Sequence, residues 1–203
     1  MASQVDIANI CLEILGKPSI ASFADNSNAA RAINSTYDLE RRARLTGRAT
    51  WRFSMKRASL PALTAAPVSG PFTQQFALPT DCLRIIMAGD IWPGLDLSDY
   101  KLGPTDASYS VEGRNILCDY GAPLSLLYVY DVQDTTQFDP WFVEYLGACL
   151  AYKNCERLTG SDAKQQLAAS RMKDARKEAT ASNALVNPPA ANADDTWLAA
   201  RLQ

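Results

Sequence analysis

The chain has 203 residues, of which 47% are hydrophobic and 21% charged, proportions that are ordinary for a globular domain. Its 20 basic and 22 acidic residues leave a net charge of -2, which argues against a general nucleic-acid binder with a strongly basic surface. The chain contains no histidine, which excludes Ser-His-Asp and Cys-His nucleophiles and His-ligated zinc.

Two helices are predicted at the start of the chain. Ser3 is a good N-cap, apolar residues then recur at helical spacing, and Gly16 and Pro18 end the run. We therefore expect a helix over about 3–16. A polar turn supplies the next N-cap, and an apolar stripe predicts a second helix over about 28–46.

The hydrophobic period then changes from that of a helix to that of a strand. Trp51, Phe53 and Met55 alternate with polar residues, which predicts a half-buried strand. Three further extended regions are expected over 76–87, in a hairpin that turns near Gly113, and over 124–132. These segments predict a β-rich insertion over about 49–132.

Two more helices are predicted after the insertion. Asp139 as N-cap and Pro140 at the first helical position begin a third helix over about 139–159, with apolar residues nearly all round it. Gly160 ends this helix, and a fourth helix over about 161–183 follows. We expect the third and fourth helices to form a helical hairpin.

The expected fold class is mainly α. It consists of a four-helix bundle-like core with a small antiparallel β-region inserted between helices 2 and 3, and an extended C-terminal tail. Residues 1–187 would form one domain and residues 188–203 a flexible docking tail. Trp197, Leu198 and Leu202 are apolar anchors at the end of this tail, suited to a groove on a partner. The alternative is a frayed terminus.

Charge is spread unevenly along the chain. Residues 31–57 carry eight basic and two acidic side chains, a net +6, whereas residues 58–140 carry three basic and ten acidic side chains, a net -7. Such a chain suits contact between copies of itself, although a solvated helix face is the alternative. Candidate subunit-interface or channel residues are Arg41, Arg42, Arg44, Arg48, Arg52, Asp96, Asp99 and Asp106.

Motifs of known chemistry are missing from the sequence. The five cysteines are odd in number and have no C-x-x-C spacing, so we expect buried thiols rather than a disulfide framework or a zinc site. The acids near 90–106 lack the spacing of a calcium loop. We expect no catalytic, metal-binding or cofactor-binding residues and no cofactor. The N-terminus lacks the basic region of a signal peptide and the apolar runs are short, so no membrane partner is expected.

The order of features resembles the head-to-tail adaptors of tailed bacteriophages, in particular the tail tubular protein A (gatekeeper) family of short-tailed phages. The resemblance covers most of residues 3–183. It rests on a set of matching segments: VDIANICLEILGKPSI, DNSNAARAIN, ATWRFSMKRASLP, FALPTDCLRII, YSVEGRNIL and the long block from VYDVQDTTQFDPWF to ERLTGS.

The resemblance implies a structural virion protein without catalytic activity. Adaptors of this kind form a ring, generally of twelve copies, and heterologous contacts that close on themselves generate such rings. The implied partners are further copies of the chain, the portal protein and a tail nozzle or tail-tube protein. Genomic DNA would pass through the channel without sequence specificity. The implied location is the virion neck, after assembly in the host cytoplasm.

Two other functions stay open from the residues alone. A nucleic-acid-binding protein could use the basic segment Arg41–Arg57, with Trp51 and Phe53 as stacking surfaces. A cell-wall hydrolase would need only two carboxylates brought together by the fold. No motif in the sequence supports this function.

Overall fold

The computed structural model describes residues 2–65, 67–68, 70–89 and 109–186. This part of the chain contains four α-helices and six β-strands. The helices are α1 (Gln4–Ile14), α2 (Asn28–Leu45), α3 (Pro140–Thr159) and α4 (Asp162–Leu185). The strands are β1 (Met55–Leu60), β2 (Gln74–Ala77), β3 (Cys82–Ala88), β4 (Tyr109–Glu112), β5 (Asn115–Cys118) and β6 (Leu124–Tyr130).

The prediction of a mainly α fold with one small β insertion is wrong. Helices take up 48% and strands 20% of the described residues, and the strands form two separate three-stranded antiparallel sheets, in the orders β1-β6-β3 and β2-β5-β4. In each sheet the central strand pairs with a strand that is distant in sequence. A hydrophobic period marks a strand but does not identify its partner, and for that reason the sequence did not reveal two sheets. The tail expected over 188–203 lies outside the described residues.

The described residues of the expected 1–187 domain divide into two compact units. The first comprises residues 2–58, 79–87 and 126–186 and contains all four helices. The second comprises the described parts of 59–78 and 88–125 and contains the β2-β5-β4 sheet.

The sheet of the second unit is built around one buried residue. Ile116 of β5 lies opposite Phe76 of β2 and opposite Val111 of β4. Ile116 and Phe76 are fully buried, so this row supplies apolar contacts between the strands. The hairpin between β4 and β5 turns at Gly113, whose positive φ of 59° is a conformation that glycine adopts without strain.

Local signals in the sequence position the helix ends. Ser3 and Asp6 form a capping box: Ser3 Oγ accepts from the Asp6 amide at 3.1 Å, and the Asp6 carboxylate accepts from the Ser3 amide at 2.7 Å. Asp139 caps α3 by accepting from the Trp141 amide. Gly160 ends α3 in the left-handed conformation, which allows α4 to follow directly.

Helix α3 is the centre of the first unit. It contacts each of the other three helices, and eleven of its 20 residues are buried. Its Phe142 ring lies 4.9 Å from the ring centroids of Trp51 and Phe53 and 5.1 Å from that of Phe138. These aromatic rings pack α3 against the segment before β1.

The strand predicted at Trp51–Met55 begins later than expected. Residues Arg52–Ser54 form a 3-10 turn, and only at Met55 does β1 begin. Both the amide and the hydroxyl of Ser54 donate to the Trp51 carbonyl, at 3.0 and 2.8 Å. These two bonds close the turn, so alternation of apolar and polar residues here reflects packing on α3 rather than a strand.

Candidate functional site

Arg41, the first of the candidate arginines, is buried in the first unit. Only 1% of its surface is exposed. Its guanidinium pairs with Asp131 and with Asp38, the latter at 3.2 Å, and donates to the Val132 carbonyl at 2.6 Å. Arg41 therefore ties α2 to the segment that follows β6, and it has almost no surface to offer a partner.

The neighbouring arginines are partly neutralised by contacts within the unit. Arg42 pairs with Asp131 at 2.9 Å, and its side chain is 55% exposed. Arg44 pairs with Glu40 one helical turn away at 2.8 Å. The net positive charge of the segment is thus much smaller at the surface than the count of its residues suggests.

Two candidate arginines remain nearer the surface. Arg48 is exposed and Arg52 is half-buried, and neither forms an ion pair with any residue that the structure describes. Of the five candidate arginines, only Arg42 and Arg48 are exposed. The candidate residues Asp96, Asp99, Asp106, Trp197, Leu198 and Leu202 lie outside the described residues.

The aromatic residues beside the basic segment point into the core. Trp51 is 1% exposed, and its indole nitrogen donates to the Arg44 carbonyl at 3.0 Å. Phe53 stacks at 6.3 Å from Trp51 and packs on α3. A base of a nucleic acid could not stack on the Trp51 ring without unfolding this part of the unit.

A cluster of three polar side chains on the β1-β6-β3 sheet has the composition of an acid–base site. The Lys56 ammonium lies 2.7 Å from Asp81 Oδ2, and the Tyr128 hydroxyl donates to Asp81 Oδ1 at 3.0 Å. The hydrogen bond to Asp81 raises the pKa of Lys56. Burial, and then the hydrogen bond to Asp81, raise the pKa of Tyr128.

The Asp81 carboxyl in this cluster is ionised at neutral pH. Burial opposes its ionisation, but the hydrogen bonds from Lys56 and Tyr128 outweigh burial and lower the pKa of Asp81. All three pKa values are thus shifted away from neutral pH, whereas a general acid or base works best with a pKa near the working pH. The cluster is suited to holding the sheet together rather than to proton transfer.

The cysteine thiols are also poorly suited to catalysis. None of the five cysteines forms a disulfide, and four of them are buried. Burial raises the pKa of Cys11 to about 12 and that of Cys149 to about 11, so both stay protonated at neutral pH and are poor nucleophiles. Within the described ranges, no cluster of cysteine and acidic side chains is arranged to hold a metal ion. No helix in the described part of the chain is both long and apolar enough to cross a membrane.

A groove lies on the first unit between α1, α3 and α4, and we call it the acidic groove. Its volume is about 830 Å³. Trp141 of α3 and Leu167 of α4 are 47% and 48% exposed and line it together with Ile10 and Ile14 of α1. Large apolar side chains that share one exposed concave surface mark a site of interaction with another macromolecule.

The rim of the acidic groove is negatively charged. Four acidic side chains line it, and one basic side chain, Arg171, accompanies them. The acids are Glu13, Glu144, Asp174 and Glu178. The formal charge of the lining is therefore -3, which favours a partner that presents basic groups around an apolar contact.

The groove exists because α4 packs through a narrow stripe. Only Ala168 and Ala179 of its 24 residues are buried, so α4 lies against α3 while its flanks stay open. The Lys164 ammonium donates to the Leu15 carbonyl at 2.6 Å and so fixes α4 to the end of α1. Three helices held in this way form a groove whose lining residues come from α1, α3 and α4.

Sequence reasoning missed this groove. The apolar residues of α3 lie nearly all round the helix, which predicts burial for Trp141 as for its neighbours. A pattern on α4 could have predicted the groove. One face of this helix combines an apolar residue with charged residues at spacings of three and four: Leu167, Arg171, Asp174 and Glu178.

A search of protein-family models finds no match to this chain. A search of curated proteins likewise finds no protein that matches it.

Proposed function

We propose that this chain is a structural protein of a tailed bacteriophage, a head-to-tail adaptor without catalytic activity. In this proposal, copies of the chain form a ring in the virion neck, join the portal to the tail nozzle or tail tube, and continue the DNA channel. The resemblance of residues 3–183 to the tail tubular protein A family motivates it. The lack of histidine in the chain is compatible with a protein that does no chemistry.

The observation that carries the proposal is the acidic groove. Its apolar floor, with Trp141 and Leu167 about half exposed, is suited to a protein partner, and its negative rim is suited to a partner with basic side chains. By contrast, the Lys56–Asp81–Tyr128 cluster has pKa values that are shifted away from those of an acid–base catalyst. An assembly protein accounts for both features.

The tail is the proposed portal contact. Trp197, Leu198 and Leu202 would enter a cleft on the portal, and Pro188 and Pro189 would direct the chain away from α4. Truncation of a tryptophan buried in such a cleft typically costs about 2 kcal/mol or more in binding. Deletion of 188–203, or Trp197→Ala, should therefore weaken co-sedimentation with portal rings while the circular dichroism of the chain is unchanged.

Electron microscopy of the parent virion tests the whole proposal. A ring of this chain, identified by a fused tag, is expected between the capsid vertex and the tail. A virion whose neck lacks the chain contradicts the proposal. Binding to short duplex DNA at low salt, lost steeply as salt is added, would instead favour the nucleic-acid-binding alternative.

A further inference from the structure

Helix α4 presents two exposed surfaces whose charges are of opposite sign. One is its side of the acidic groove, where Asp174 and Glu178 lie with Leu167. The other, which we call the basic flank, carries Lys173, Arg176 and Lys177, all exposed. At 100° per residue, Arg176 lies about 180° and Lys173 about 120° around the helix from Leu167, and Lys177 borders the acidic face at about 60° from Asp174.

We propose that the acidic groove of one copy receives the basic flank of α4 of a second copy. This inference rests on the proposed function, because it names the contact through which adaptor copies join. The two surfaces carry formal charges of -3 and +3 and are therefore complementary. The same copy cannot satisfy its own groove in this way, because α4 is itself one wall of that groove.

The apolar floor also suits this occupant. Lysine and arginine place their aliphatic stems along apolar surface while their charged heads reach polar groups at the edge. The stems of Lys173 and Arg176 can therefore cover Leu167 and Trp141 of the next copy, with the cationic heads directed to the acidic rim. A cation above the exposed Trp141 ring adds a cation–π attraction.

The contact has the geometry that a ring requires. Each copy offers its groove to one neighbour and its basic flank to another, so the interface is heterologous rather than two-fold symmetric. Repetition of one heterologous contact gives a closed ring or an open filament. Charge complementarity contributes more to specificity than to affinity, and a portal template would supply the multivalency that completes the ring.

Charge reversal on each surface tests the proposal. The groove variant is Glu144→Lys with Asp174→Lys, and the flank variant is Lys173→Glu with Lys177→Glu. Each is compared with the natural chain for assembly on portal rings, and for self-association at high concentration by sedimentation velocity. The matched control reverses two other exposed cations, Arg57→Glu and Lys153→Glu, and circular dichroism checks that each variant is folded.

We expect each variant alone to associate about tenfold or more weakly, since like charges would face one another across the contact. An equimolar mixture of the two variants should recover assembly, because every groove in an alternating ring would again meet a flank of opposite charge. The control should assemble like the natural chain.

Three results would overturn the inference. If both variants assemble normally on the portal, the contact lies elsewhere, and the proposed function stands without it. If each variant is defective and their mixture does not assemble, the two surfaces do not meet. In that case, if only the groove variant has lost binding to the portal, the groove is assigned to the portal. If the natural chain itself forms no ring on the portal, the proposed function fails together with the inference.

Discussion

Gly147 of α3 lies directly against Ile10 of α1. A Cβ atom placed on Gly147 would be 2.6 Å from Cγ2 and 2.9 Å from Cβ of Ile10, closer than two such atoms can approach. Glycine at the centre of a helix is unfavourable by itself, so its presence here is explained by the close crossing of the two helices. Since α1 and α3 are both walls of the acidic groove, this crossing also sets the width of the groove.

Substitution of Gly147 by alanine should destabilise the protein. Overpacking of a close contact typically costs about 1–3 kcal/mol, and the gain in helix propensity of up to about 1 kcal/mol offsets only part of it. Urea denaturation followed by circular dichroism measures the difference. Gly121→Ala is the control, because nothing lies within 4 Å of a Cβ at that position, and it should leave stability nearly unchanged.

A double variant separates overpacking from other effects of Gly147→Ala. Ile10→Ala removes Cγ2, the nearer of the two Ile10 atoms that the new methyl would meet, and keeps only Cβ. The double variant should therefore be less destabilised than the sum of the two single variants. Simple addition of the two effects would mean that the two side chains do not compete for space.

Arg41→Met should be far more harmful than Arg42→Met. Both arginines pair with Asp131, but the Arg41 side chain is 2% exposed and that of Arg42 is 55% exposed. Loss of the buried partner leaves the Asp131 carboxylate poorly compensated, which typically costs about 3–5 kcal/mol. Loss of an exposed partner typically costs less than about 1 kcal/mol. Equal decreases in the free energy of unfolding, measured by urea denaturation, would show that burial of Arg41 does not determine how much its ion pair stabilises the fold.

Helix ends were the part of the fold that the sequence predicted best. Ser3, Asp139 and Gly160 act through neighbouring backbone, so their effect is local and visible in the chain. Strand pairing depends instead on contacts between distant segments, such as Phe76 with Ile116. No local pattern encodes such a pair, and the two sheets were therefore missed.

The basic segment shows why a charge count did not locate a surface. Its arginines are close in sequence, but Arg41 is buried against Asp131, a residue 90 positions away. Asp131 belongs to the acidic segment 58–140. The fold thus brings part of the predicted opposite charges together within one copy.

Thiol labelling should distinguish Cys82 from the other cysteines. Cys82 is half-buried, whereas Cys11 and Cys149 are buried, with pKa values raised by burial to about 12 and about 11. In the folded protein at mildly alkaline pH, iodoacetamide should modify Cys82 first, because the thiolate is the reactive form. Mass spectrometry identifies the modified residue, and all five cysteines should react in denaturant. Rapid labelling of Cys11 or Cys149 in the folded protein would contradict the buried placement.

The ion pair between Lys56 and Asp81 should make stability depend on acidic pH. Burial disfavours the Asp81 carboxylate, but the hydrogen bonds from Lys56 and Tyr128 prevail and hold the pKa of Asp81 below its ordinary value of 3.8. A carboxyl whose pKa is lower in the folded state stabilises the fold fully above the unfolded pKa. That contribution is lost as the pH falls through the folded pKa.

Asp81→Asn should therefore lower the free energy of unfolding near neutral pH, and the difference from the natural protein should shrink as the pH falls below 3.8. Urea denaturation at a series of pH values measures this difference. Tyr128→Phe, which removes only the bond at 3.0 Å, should give a smaller pH-dependent difference of the same sign. The assignment would be wrong if Asp81→Asn and the natural protein kept a constant difference down to the pH of acid unfolding, because Asp81 would then have the same pKa in the folded and unfolded states.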